Sequence, residues 1–234
     1  MSGLIRTGVT RLIQGVGNFQ KAVFGTKESL FKKLGEGQAP GVLFITCSDS
    51  RIHPHLLTQS DPGDLFILRN AGNIVPAYGG PPNGEAATVE YAITHLKVRD
   101  VVVCGHSKCG AVAGILNPAA LAGMPAVGAW LEHAAGIREA VEAIGAGLPP
   151  EARLNMAIER NVLRQVEHLR THPAVEKAFA AGQIRIHAWI YHFENGSVVA
   201  HDAAAGRFIP LADAYRVKWK PPSGKPVTRT DECM

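Results

Sequence analysis

No stretch of the 234-residue sequence holds about 18 consecutive apolar residues, so a bilayer-spanning helix is excluded. The opening, MSGLIRTGVTRLIQGVGNFQKAVFG, lacks the continuous apolar core of a secretion signal. The chain is therefore expected in the cytoplasm, where reducing conditions argue against disulfides. Cysteine is scarce, with only Cys47, Cys104, Cys109 and Cys233. In that compartment such residues bind metal or do chemistry more often than they pair. Aromatics are also few, at 6%, and are not interleaved with the 24 Lys and Arg residues, which outside the tail are spread along the chain. The net charge of +4 and the pI near 8.9 therefore do not form the basic stripe of a nucleic-acid surface, and no such partner is expected.

What is present is a globular composition, 46% hydrophobic and 19% charged. One domain with a full core is expected over residues 1–216, with 1–37 forming a helical arm. The Pro- and Lys-rich stretch 217–234 is expected to be a mobile tail. In the arm, Ile5, Val9, Leu12, Ile13, Val16, Phe19 and Val23 recur near helical period and predict one amphipathic helix. Its polar face is only sparsely basic, so packing on a partner or the core is favoured over membrane-surface binding. Thr26 is a candidate cap for a second short helix over KESLFKKLGEG.

Beyond the arm, strands and helices alternate. VLFIT (42–46), LFIL (65–68) and VVVC (101–104) are continuous apolar runs of the kind buried on both faces of a parallel sheet. GEAATVEYAITHL (84–96) and SKCGAVAGIL (107–116) read as helices, and 119–181 as largely helical. IRIHAWIYHFENGSVVAHD (184–202) reads as a late hairpin turning at ENG. The expectation is an α/β fold with a central, mainly parallel sheet flanked by helices.

The chemistry gathers in two segments. Cys47 closes the first strand, and the third ends in CGHSKCG, which places His106 and Cys109 in an H-x-x-C pair where strand yields to helix. Ligands of open α/β sheets bind beyond the carboxyl ends of the strands, so these three side chains can converge from two loops. Two thiolates and an imidazole suit tetrahedral Zn²⁺ and leave a fourth position open, as in catalytic rather than structural sites. Cys104, inside a strand, reads as a packed core thiol, and Cys233 lies in the tail. Asp49 and Arg51 follow Cys47 at i+2 and i+4 and share its side of an extended turn. Asp49 then has two possible jobs: fourth ligand, or a carboxylate held ionised by Arg51 that accepts a hydrogen bond from metal-bound water. A Cys47 nucleophile activated by His106 is the rival reading, and it leaves Cys109 without a role.

At these residues the sequence resembles the β-class carbonic anhydrases. The likeness is carried by CSDSR (47–51), GDLFILRNAGN (63–73), GEAATVEYAITHL (84–96), VVVCGHSKCGAV (101–112) and HAWIY (187–191), within a span of about residues 4 to 210. It implies one Zn²⁺ per chain on Cys47, His106 and Cys109, and an Asp49–Arg51 dyad. It implies hydration of CO₂ to bicarbonate by zinc-bound hydroxide, with the proton passed to buffer. Gln38, Phe66, Ala71 and Tyr91 match residues that hold substrate or wall its pocket, and the Gly110 N–H is placed to receive the oxygen that gains charge.

Members of the family fall into an open subgroup and a gated one in which the Asp ligates the metal. Gln38 fits the former, and Phe44 stands where gated members carry Trp, whereas Arg69 and Tyr191 match gated members. The open form is the favoured expectation. The resemblance further implies a homodimer or a larger dimer-based assembly in which the N-terminal arm embraces the neighbour. Hydrolysis of carbonyl sulfide or carbon disulfide on the same fold, and a non-catalytic zinc-stabilised scaffold or carboxysome-type component, are the competing functions. His53 and His55, in RIHPH, are expected in a loop rather than as a proton relay.

Overall fold

The computed structural model describes residues 8–216. The arm's first seven residues and the expected tail over 217–234, with Cys233, lie outside them. The arm begins as α1 (Gly8–Asn18), whose Val9, Leu12, Ile13 and Val16 are each more than half exposed. It does not continue as the single helix its period predicts. A π turn (Phe19–Val23) and a 3₁₀ turn (Phe24–Lys27) intervene before α2 (Glu28–Gly35). The rings of Phe19, Phe24 and Phe31 gather there, with centroids 6.1, 6.0 and 5.4 Å apart, so aromatic contact overrides the helical repeat. Thr26 does not cap α2, because its hydroxyl donates back to the Val23 carbonyl (2.7 Å).

The sheet follows as β1 (Val42–Cys47), then α3 (Pro54–Thr58), β2 (Leu65–Asn70), α4 (Gly84–Thr94) and β3 (Asp100–His106). A helical stretch comes next: α5 (Gly110–Leu116), α6 (Pro125–Leu131), α7 (Ile137–Gly145), α8 (Pro150–Thr171) and α9 (Pro173–Ala180). β4 (Arg185–His192), β5 (Ser197–Asp202), β6 (Arg207–Pro210) and the single turn α10 (Leu211–Ala214) complete it. The six strands are ordered β2-β1-β3-β4-β5-β6; β2, β1, β3 and β4 run parallel, and β5 and β6 pair antiparallel at one edge. The α/β expectation and the late hairpin are both realised. RIHPH is corrected, because α3 starts inside it: Pro54 suits the first helical turn, and His53 caps it by accepting from the Leu56 N–H (3.3 Å). The helix expected from Ser107 begins only at Gly110, since Lys108 takes a left-handed φ of 52°.

The apolar runs of β1 and β3 are buried along nearly their whole length, as strands covered on both faces must be. Helix α8 lies against β3 and β4 so closely that a Cβ on Gly105 would stand 2.6 Å from Val162 Cγ2. Cys104 is fully buried in this core, and burial pushes its thiol up to about 12, the behaviour of a packing residue.

The segment after β2 has no regular structure, yet it is buried from Gly72 to Pro76. Its backbone finds partners on one stripe of α8 and at the residue that caps that helix's C-terminus. Asn161 donates to the Gly72 carbonyl (2.9 Å), and Gln165 donates to Asn161 (2.9 Å) while accepting from the Val75 N–H (2.9 Å). His168 and His172 meet the Val75 and Pro76 carbonyls at 2.8 and 2.9 Å. A helix thus takes the place of a neighbouring strand in satisfying an irregular buried chain.

Candidate metal centre

Parallel β1 and β3 end side by side, and the Thr46 hydroxyl donates to the Cys104 carbonyl (2.8 Å) across them. This register sets Cys47 and His106 on adjacent strand ends, and the short turn at Ser107–Lys108 returns Cys109 to the same spot as the residue before α5. The ligating atoms of Cys47, His106 and Cys109 all lie within 4.8 Å of one another, and all three residues are buried.

Two details test whether a metal fits. The Cys47 and Cys109 sulfurs are 4.0 Å apart, far beyond a disulfide bond. Two sulfurs each about 2.3 Å from a shared tetrahedral ion stand about 3.8 Å apart, close to the spacing found. His106 is fully buried, and its Nδ1 meets the Ser107 carbonyl at 2.8 Å, which assigns the proton to Nδ1. Nε2 has no hydrogen-bond partner among the described residues, so a buried lone pair faces the sulfurs without a proton to share. An orphan of that kind is costly unless a cation accepts it.

The electrostatics agree. The bond from Cys109 holds the Cys47 thiol well below its ordinary value, against burial, with help from the Gly72 N–H 3.4 Å from the sulfur. The same bond to Cys47, together with burial, pushes Cys109 up. The two thiols thus shift in opposite directions through one shared bond, whereas a bound dication favours both thiolates.

Asp49 and Arg51 stand beside this cluster. Arg51 grips the Asp49 carboxylate with two bonds, Nε to Oδ1 at 2.9 Å and Nη2 to Oδ2 at 2.7 Å, and its backbone N–H adds a third at 3.0 Å. Hydrogen bonding from the Arg51 guanidinium holds the Asp49 carboxyl well below the usual carboxylate range. Asp49 Oδ2 lies 3.8 Å from His106 Nε2, so the carboxylate reaches the edge of the metal position while staying paired with Arg51.

The substrate residues expected from the sequence are distributed differently. Ala71 adjoins Gly72 and receives the Trp130 indole N–H on its carbonyl (2.8 Å). Gly110 opens α5 directly after Cys109. Phe66 instead pairs with Leu43, four register steps from Cys47 and Asn70, or about 13 Å along the strand. Its ring packs on Tyr91 (5.9 Å), which is itself exposed, and Gln38 is exposed in the coil before β1. Phe66, and Tyr91 packed on it, therefore stand away from the cluster within one chain. Arg69 has a role that its spacing did not reveal: its guanidinium binds the carbonyls of Cys47, Asp49 and Ile52 at 2.9, 2.8 and 3.1 Å and fixes the loop that carries the dyad. Its face on β2, opposite Thr46, was the available signal.

A sequence model described as carbonic anhydrase matches residues 42–198. The chain belongs to the carbonic anhydrase family. It is 46% identical over 207 residues to the carbonic anhydrase of Pseudomonas aeruginosa, covering 88% of this chain and 94% of that protein. The solved β-carbonic anhydrase CcaA superposes with a TM-score of 0.85 at 41% identity, over 87% of this chain and all of that one. A structure from a study of two tetrameric β-carbonic anhydrases of Sordaria macrospora superposes at 0.73, with 29% identity over 82% of this chain and 95% of that one. Membership is thus in the β class, as the paired CSDSR and GHSKC segments lead one to expect.

Proposed function

We infer that the chain catalyses the reversible hydration of carbon dioxide to bicarbonate and a proton. One observation carries this reading: an unpartnered, buried His106 Nε2 facing two sulfurs 4.0 Å apart, with a carboxylate fixed by Arg51 at the cluster's rim. Cys47, His106 and Cys109 are the residues to hold Zn²⁺, which when bound supplies a Lewis acid that makes water nucleophilic near neutral pH.

The protein's own groups do the rest. Asp49 is ionised at working pH, and its Oδ2 is the acceptor that orients a water proton beside His106. Arg51 keeps that oxygen in place, and Arg69 anchors the backbone of both. The Gly110 N–H, past Cys109, is assigned to the oxygen that gains charge. Neither His53 nor His55 is a free relay, since the first caps α3 and the second meets Ser60 at 3.0 Å. The proton is proposed to pass to buffer.

The open form is the proposed resting state, because the hydrogen bonds to the Asp49 carboxylate hold it on Arg51. Association is also proposed. The exposed apolar stripe of α1 needs cover, and Gln38 and Tyr91 are exposed, with Phe66 half-buried beside Tyr91, so a second chain is proposed to take them into a shared contact.

Zinc analysis with stopped-flow CO₂ hydration tests the reading, using wild type and Asp49→Ala. The expected outcome is about one zinc per chain in both proteins, and a rate loss of roughly 10²- to 10⁴-fold in the variant, the size of one proton-handling group. Zinc lost from the variant would make Asp49 a ligand. A zinc-loaded wild type that releases sulfide from carbonyl sulfide but leaves CO₂ untouched would favour the hydrolase.

A further inference from the structure

Arg51 has one neighbour that neither the metal cluster nor the dyad accounts for. The Phe193 ring, just beyond β4 in the hairpin turn, lies under the guanidinium with its centroid 4.4 Å from Cζ. The turn is tied to the metal-bearing segment at several points. The Phe193 N–H donates to the Ser107 hydroxyl (3.3 Å), and that hydroxyl donates to Glu194 Oε2 (2.5 Å). Lys108 pairs with Glu194 Oε1 (3.3 Å), and the Ser107 N–H donates to the Tyr191 carbonyl (2.9 Å). Arg51 Nη2 also reaches the Lys108 carbonyl (3.1 Å), so the guanidinium spans the loop after β1 and the loop after β3.

We propose that Phe193 is a positioning residue for the reaction: its ring, anchored through Glu194 and Ser107, fixes the Arg51 guanidinium and so keeps Asp49 off the metal position. Asp49 Oδ2 is 3.8 Å from His106 Nε2, so a modest turn of the carboxylate would carry it onto an ion held there. What restrains it is Arg51, and the Arg51 side chain is 45% exposed, so its edge-on bonds alone leave the plane free to tilt. A ring beneath one face with a carbonyl at one edge removes that freedom, because guanidinium stacking and in-plane bonding use different directions of the same group. The Phe193 ring also stands 6.4 Å from the His106 ring, centroid to centroid, but its closer approach is to the guanidinium, and the proposed effect on the carboxylate runs through Arg51.

The proposal rests on the hydration reading, so its test has two readouts. In the zinc-loaded enzyme, Phe193→Leu is expected to lower kcat about 2- to 5-fold with KM unchanged, the size of a half-exposed cation–π contact. It is expected to add no loss in an Arg51→Ala background, and Phe193→Trp should restore the rate. Independently of activity, hydrogen exchange of the Arg51 Nε–H at pH 6 should speed up by a similar factor. That of Arg185, which makes a bidentate pair with Asp100 at 2.8 and 2.9 Å elsewhere, should not change.

Equal losses in both backgrounds, or unchanged Arg51 exchange, would overturn the proposal. A wild type without CO₂ hydration would sink the functional reading alone and leave the exchange experiment to decide this one. If Phe193→Leu unfolds, Arg185 exchange rises as well. Glu194→Gln, which keeps the ring and loosens its anchor, then decides by whether Arg51 exchange alone increases.

Discussion

At the scale of single residues, the charge of Asp49 governs what pH can do to this protein. Arg51 depresses its folded pKa, so the stabilisation from the pair is fully present above the unfolded value near 4 and is lost only as pH falls below it. Asp49 therefore does not titrate between pH 6 and 9. With Zn²⁺ held as proposed, two thiolates and a neutral imidazole would cancel its charge, so bound water would be acidified less than at a site with three neutral ligands. The expected outcome is a CO₂ hydration rate that climbs from pH 6 to 9 at fixed buffer concentration; a flat profile would contradict the charge count. Cys47, Asp49, Arg51, His106 and Cys109 were all legible in the sequence, because metal ligation and carboxylate pairing demand particular residue types at tight spacing. Phe193 was not, since nothing in an aromatic residue after a strand reveals which cation it will lie beneath.

Among the elements, the junction of α8 with the sheet and with the segment after β2 carries the sharpest constraints. Gln165→Leu would strand the buried Val75 N–H, and a loss of about 1–3 kcal/mol in urea unfolding is expected. Gly105→Ala would drive a methyl into Val162, with about 1–3 kcal/mol of overpacking strain that Val162→Ala should partly relieve. The strands were readable because a short continuous apolar run between turn residues suits a strand covered on both faces and little else. The long helix was readable from its bracketing prolines. Other features were set by contacts distant in sequence. The break at Phe19 depends on Phe31, and the loop-holding role of Arg69 depends on strand register. Asn161 and Gln165, one turn apart on a buried stripe, did leave a trace, since uncharged polar residues at core positions need partners.

For the whole molecule, the question is what covers the arm. Val9, Leu12, Ile13 and Val16 expose a continuous apolar stripe. Leu12→Glu is expected to shift light-scattering mass toward that of one chain and to leave zinc content unchanged. If Gln38, Phe66 and Tyr91 serve at a contact between chains, the rate should fall with dissociation.

The pair of sulfurs has a practical consequence for anyone handling the protein. At 4.0 Å they need to approach by only about 2 Å to bond. A preparation stripped with chelator and left in air should lock itself against reloading, and a reductant should reopen it. Measured as zinc uptake before and after dithiothreitol, this would make the metal a preservative of its own site, and the order of chelator and air the difference between a dormant sample and a spoiled one.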